Sequence, residues 1–248
     1  MKKAFTLAEV LIVLGIVGVI AALAIPSLYN HFKQVELHAR FNKTYAVMQQ
    51  ALKLTLGEMG LTSTADVSIY YDTDNTKFKE NFVGINKVWE SRFAGATKVK
   101  ASTYKFKGVF KDFWGNGSRV YGDTHDYYYL LPDGSVISDI GASKRYGNVA
   151  ALDIFFDTNG LHKGPNRLGY DQFYFYNEGK TTIAAGDVDF MVGCDPFLTG
   201  SPNGYWDKFR MASCSGYALK NINPLDSSKK YWDSLFKPKS WWEELKNK

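Results

Sequence analysis

The sequence has 248 residues, of which 45% are hydrophobic and 22% charged. This is the balance of an ordinary globular protein, with room for one sizeable domain plus an N-terminal helix. The net charge of +5 is too mild to imply a nucleic-acid partner by itself.

The chain opens with Lys2 and Lys3, and is then apolar almost without interruption to Asn30. The interruption is Glu9. A carboxylate in hydrocarbon costs about 2.5 kcal/mol or more, so an acid at this place is a functional residue by default. Residues 10–30 carry no charge, and as a helix they extend about 31 Å, enough to span a bilayer. A secretory signal peptide, with Ala22-Leu23-Ala24 as its cleavage site, and a plain single-span anchor are the alternatives. Both leave Glu9 without a role.

The residues Lys2-Lys3-Ala4-Phe5-Thr6-Leu7-Ala8-Glu9 resemble the processing site of type IV prepilins and type II secretion pseudopilins. The resemblance implies cleavage between Ala4 and Phe5 by a dedicated inner-membrane prepilin peptidase, with N-methylation of the new amine. Ala4 departs from the glycine more usual before the cut. Glu9 becomes the fifth residue of the mature chain and its assembly contact, pairing with the Phe5 amine of a neighbouring subunit. Such a pair offsets its desolvation only when both charges are present. Pro26 falls where the family has a proline that loosens the helix by removing an amide donor. The implied partners are other pilin or pseudopilin subunits, the peptidase, an inner-membrane assembly platform and membrane lipid. The implied location is the bacterial inner membrane, single pass with a periplasmic head, and then a filament.

After the membrane segment, residues 31–60 continue as a helix. Phe32, Val35, Phe41, Tyr45, Met48, Leu52, Leu56 and Met59 form an amphipathic stripe that predicts packing on a head, with Gly57 and Gly60 as stop signals. Residues 61–95 lack a clear period and read as loop, with short helical pieces around 81–93. Residues 98–111 read as a strand, a basic strip of Lys98, Lys100, Lys105 and Lys107 with aromatics between them. Such a strip can track a nucleic-acid strand or serve as a solvated edge that discourages pairing. Residues 127–138 form a hairpin about the Pro132-Asp133-Gly134 turn. Strands follow at 150–156, 172–176 and 181–185, the last two joined by a turn at 177–179.

The elements sum to an α+β, pilin-like fold: a long N-terminal helix, half membrane span and half amphipathic, packed on an antiparallel β-sheet head. Its parts are a leader at 1–4, a transmembrane and polymerisation helix at 5–30, the amphipathic half at 31–60 and the globular head at 61–248.

Between two of the strands, residues 153–171 carry D-x-N-G and then P-N-x-x-G-x-D, a pattern similar to one that recurs in pilin-like proteins, some of which bind calcium in a comparable loop. Asp153, Asp157, Asn159 and Asp171 supply the hard oxygen ligands that suit Ca²⁺. The same residues build metal-free turns by bonding local backbone, and in that reading the chain carries no cofactor. The resemblance also implies a disulfide between Cys194 and Cys214 in an exported head, the alternative being two free buried thiols. In the tail, Trp232, Trp241 and Trp242 sit beside lysines, as a partner surface or as a short helix packed back on the head.

The sequence has no P-loop, G-x-S-x-G, dinucleotide fingerprint or H-E-x-x-H spacing. Its four histidines, His31, His38, His125 and His162, are scattered. Nothing in it advertises an enzyme. The expectation is a structural subunit, a minor pilin or pseudopilin of a type IV pilus or of a type II secretion or competence filament. A filament-tip subunit whose head binds DNA or a surface ligand is the alternative.

Overall fold

A computed structural model describes residues 6–60, 92, 95–100, 127–145, 149–177 and 214–248. Helix α1, Leu7–Glu58, runs 52 residues, about 78 Å at 1.5 Å per residue. It continues through Pro26, whose missing amide leaves the carbonyl of Ala22 without its helical donor. The helix stops where the sequence places its glycines. Met59 is the C-cap, and Gly60 turns to φ +67°, a conformation glycine adopts without strain.

The two halves of α1 differ in what surrounds them. From Leu7 to Val35 the large apolar side chains are exposed, Phe32 at 63% and Val35 at 55% among them. From Leu37 on, one face is buried: Leu37, Phe41, Thr44, Met48, Ala51, Leu52, Thr55 and Leu56. The stripe expected to begin at Phe32 therefore begins at Leu37. Three or four residues separate successive turns of this face, so it presents one continuous seam to the head.

The head presents a five-stranded antiparallel meander. Its strands are β1 (Thr97–Lys100), β2 (Tyr127–Leu130), β3 (Val136–Arg145), β4 (Val149–Asp157) and β5 (Gln172–Asn177), in that spatial order. The β2–β3 hairpin closes as its turn chemistry predicts. Leu131 N donates to Ser135 O at 2.9 Å, and Asp133 Oδ1 accepts from Ser135 N at 3.0 Å and from Ser135 Oγ at 2.6 Å. Gly134 supplies the positive φ that the turn requires. Strand β3 runs well past the expected end at Ser138, because pairing with β4 from Val136↔Asp157 to Arg145↔Val149 holds a segment with little alternation of its own.

The register aligns Tyr129, Ile137, Phe156 and Phe173 across four strands. This row and Phe175 join the α1 seam in one core. Phe41 is at its centre. Its ring meets Phe173 edge-on at 4.5 Å and lies 6.1 Å from Phe156, 6.0 Å from Phe175 and 5.4 Å from Trp232. Aromatic pairs at such separations add about 0.5–1.5 kcal/mol each beyond their burial.

Three short helices complete the described head: α2 (Ser215–Lys220), α3 (Tyr231–Ser234) and α4 (Lys239–Lys246). Trp232 and Trp242 are buried, and Trp232 Nε1 donates to Ala218 O at 3.0 Å. The tail thus folds back on the head. The expected helical pieces at 81–93, apart from Arg92, lie outside the described residues. So do the rest of the basic strand, with Lys105 and Lys107, the strand at 181–185 and the loop at 186–213.

Candidate functional site

Two regions carry the residues singled out from sequence. The first is the start of α1. Ala4 and Phe5 lie outside the described residues. Thr6 is the N-cap, with extended backbone. Its Oγ1 accepts from Glu9 N at 3.2 Å, while Glu9 Oε2 accepts from Thr6 N at 2.8 Å and from Thr6 Oγ1 at 2.9 Å. This is a reciprocal capping box, which satisfies two of the amide donors that a helix start leaves open. Thr6-x-x-Glu9 is legible in the sequence as that motif, and the reading of Glu9 as an intramembrane acid passed over it. The box lies wholly on the C-terminal side of the Ala4–Phe5 bond.

α1 is long and apolar enough to cross a membrane, and its most apolar stretch has no side chain buried within the described fold. Gly15, Gly18 and Pro26 lie in this exposed half. Below Gln34 the described head does not cover it.

The second region is the β4–β5 connection, residues 158–171. Asp157 ends β4 and Asp171 precedes β5, and Thr158 N donates to Asp171 O at 2.8 Å across the base of the loop. Asp157, Thr158, Asn159, Asp171 and Gln172 are all buried. Asp157 Oδ1 accepts from Asn159 N at 3.1 Å and Gly160 N at 2.7 Å, and its Oδ2 accepts from Gln172 Nε2 at 3.1 Å. Asp171 accepts from Asn166 N at 2.8 Å and Arg167 N at 2.7 Å. Asn159 Nδ2 donates to Gly164 O at 2.8 Å. Burial pushes both carboxyl groups up, and Asp171 is pushed further by the charge of Asp157.

Of the four residues suggested for calcium, the structure brings Asp157, Asn159 and Asp171 together at the base of one loop. Asp153 is four residues back along β4, opposite Tyr176, and a strand rising about 3.3 Å per residue sets it about 13 Å from Asp157. Every oxygen of the Asp157 and Asp171 carboxylates already accepts an N–H. Among the described residues no three His, Cys, Asp or Glu side chains converge as a metal site needs, whereas Ca²⁺ takes six to eight oxygens. Asp157, Asn159 and Asp171 are brought together as turn builders. The buried oxygens Thr158 Oγ1, Asn159 Oδ1, Asn166 Oδ1 and Gln172 Oε1 make no hydrogen bond.

The loop is also tied to the C-terminal helices. Tyr231 Oη donates to Gly169 O at 2.6 Å, and Tyr170 Oη donates to Leu235 O. Neither tyrosine was singled out from sequence, because the two partners of each bond lie more than sixty residues apart. Cys214 is buried and disulfide-bonded; Cys194 lies outside the described residues. On the outer strands, Lys98 Nζ lies 4.2 Å from the Tyr127 ring centroid and 5.6 Å from that of Tyr129. The lysine of the basic strand is thereby held over its neighbours' rings. No family model, curated protein or solved structure matches this chain.

Proposed function

We propose that the protein is a structural subunit of a type IV pilus or of a type II secretion or competence filament, a minor pilin or pseudopilin. It is processed between Ala4 and Phe5 and assembled through α1. The observation that carries this reading is the division of one continuous helix into an apolar, uncovered half and a half built into a head. An apolar helix face of that extent must be covered by lipid or by protein, and a filament subunit needs both in turn.

Glu9 fits the passage from one to the other. In the lone subunit its Oε2 is held by the Thr6 box, which lessens the cost of a carboxylate at the membrane surface. Oε1 is left for the Phe5 amine of a neighbour. Pro26 removes one helical hydrogen bond within the span and so eases bending on extraction. The partners in this reading are like subunits, the prepilin peptidase, an inner-membrane assembly platform and lipid.

N-terminal sequencing of the mature protein tests the proposal. A chain beginning with N-methylated Phe5 is the expected result. A start at Ile25 marks signal-peptide cleavage and overturns it.

A further inference from the structure

We infer that the rim of the head formed by α3, α4 and the segment between them docks on anionic phospholipid headgroups while the subunit resides in the bilayer. The inference rests on the membrane-inserted subunit proposed above.

The first point is height. The uncharged run of α1 ends at Asn30. The first described contact between α1 and the rest of the head is Gln34 Nε2 donating to Asp233 O at 3.3 Å. One turn on, the His38 ring stacks on Trp232 at 5.0 Å. Phe41 and Tyr45, which pack on the sheet, lie further from the membrane. Four residues of helix from Asn30 to Gln34 rise about 6 Å, and the headgroup layer of one leaflet is about 5–8 Å thick. Helix α3 therefore sits at headgroup level, held there by a rigid helix.

The second point is chemistry. From Lys230 to Lys239 the rim carries Lys230, Lys237 and Lys239 against one acid, Asp233, and all four are exposed. Trp242 is buried in the core, and its neighbour Trp241 is only half-buried, with Lys229 Nζ 4.9 Å from its ring centroid. A tryptophan with one face apolar and one wet, among lysines, is the pair of residue types that membrane interfaces favour. Glu243 and Glu244 are exposed on α4, and Lys239 Nζ is 3.9 Å from Glu243. The positive balance therefore belongs to the segment from Lys230 to Lys239.

Docking on this rim would hold the head upright over the leaflet until the subunit is extracted. It would also make extraction sensitive to the content of anionic lipid.

The test uses the full chain in nanodiscs of zwitterionic lipid with and without anionic phosphatidylglycerol. A polarity-sensitive fluorophore is placed on Ser240→Cys, with the native disulfide left oxidised. Docking predicts a blue-shifted probe, quenched by a headgroup-level quencher, only in the anionic discs. It also predicts reversal in high salt and a docked-to-undocked ratio lowered about fivefold by each of K230Q, K237Q and K239Q. A probe environment that is the same in both lipids overturns the inference, as does one that changes only with protein density in the disc, which assigns the rim to a second copy. A chain that does not insert into either disc overturns the membrane reading itself, and is scored separately by flotation.

Discussion

A methyl group placed on Gly160 would lie 2.3 Å from the carbonyl oxygen of Gly134. The two glycines lock the β2–β3 turn against the start of the β4–β5 loop, and both have positive φ, +86° at Gly134 and +90° at Gly160. Gly160→Ala must therefore bear backbone strain and a clash with another backbone together, about 3 kcal/mol or more. At Gly134 the nearest atoms are 3.9 and 4.0 Å away, so Gly134→Ala bears the strain alone, about 1–2 kcal/mol. Urea denaturation of the two variants checks the order, and equal losses would contradict the packing.

Removing metal is expected to leave stability unchanged, because Asp157 and Asp171 are engaged by N–H donors. Melting with and without chelator should coincide. Asp171→Ala strips the acceptor from the buried backbone amide of Asn166 and the part-buried one of Arg167, at a cost of about 2–4 kcal/mol. A chelator-induced drop in Tm, restored by calcium, would contradict this and assign the loop to calcium.

Phe41 meets four aromatic rings from the sheet and α3, and Phe32, nine positions earlier on the same helix, is 63% exposed. Phe41→Ala is expected to cost about 3–5 kcal/mol and to change near-ultraviolet circular dichroism. Phe32→Ala should leave the head's stability in place. Comparable losses would mean that the apolar half of α1 packs on the head.

The contrast between those two phenylalanines also shows what the sequence could convey. The stripe stepped by three or four only from Phe41 on, with a gap of six after Val35, so the pattern marked only by that break where the head begins to cover α1. That place is set by Trp232 and Asp233, some two hundred residues on. The hairpin at Pro132-Asp133-Gly134 and strands β4 and β5 were legible because turn chemistry and aromatic alternation are local. The far end of β3 was not, since partner strands hold it. At the loop, the Asp and Asn residues marked turns and cation ligands equally well. The distance along β4 sets Asp153 apart from Asp157. The capping box of Thr6 and Glu9 was legible but overshadowed by the cost of a carboxylate in hydrocarbon.

His38 stacks on Trp232 at the lower edge of the core. Burial holds its pKa below the ordinary imidazole value, with the nearby Asp233 acting weakly the other way. The folded state therefore prefers neutral His38. Its contribution is intact above about pH 6.5 and is lost as pH falls through the lowered value. The buried pair Asp157 and Asp171 acts in the opposite sense, losing stability as pH rises. Only the difference between wild type and His38→Phe isolates the imidazole, the variant keeping a stacked ring without a titrating group. Wild type should lose ground to the variant as pH drops from 7 to 5 in thermal melts. Parallel profiles would remove His38 as a titrating contributor.

In the proposed filament subunit Glu9 would have two roles that one substitution can separate. As the closing residue of the Thr6 box it needs only an acceptor, which glutamine also provides. As the partner of a neighbour's Phe5 amine it needs a negative charge, because an unpaired cation in low dielectric costs several kcal/mol. Glu9→Gln should thus keep the helix start and be processed, yet enter filaments poorly, like Glu9→Ala. Thr6→Ala should cost about 1 kcal/mol at the helix end and still assemble. Processing is read from the mass of the mature chain, and assembly from the sheared filament fraction. If Glu9→Gln assembles normally while Thr6→Ala does not, the cap is the function of Glu9 and the charge pair is not.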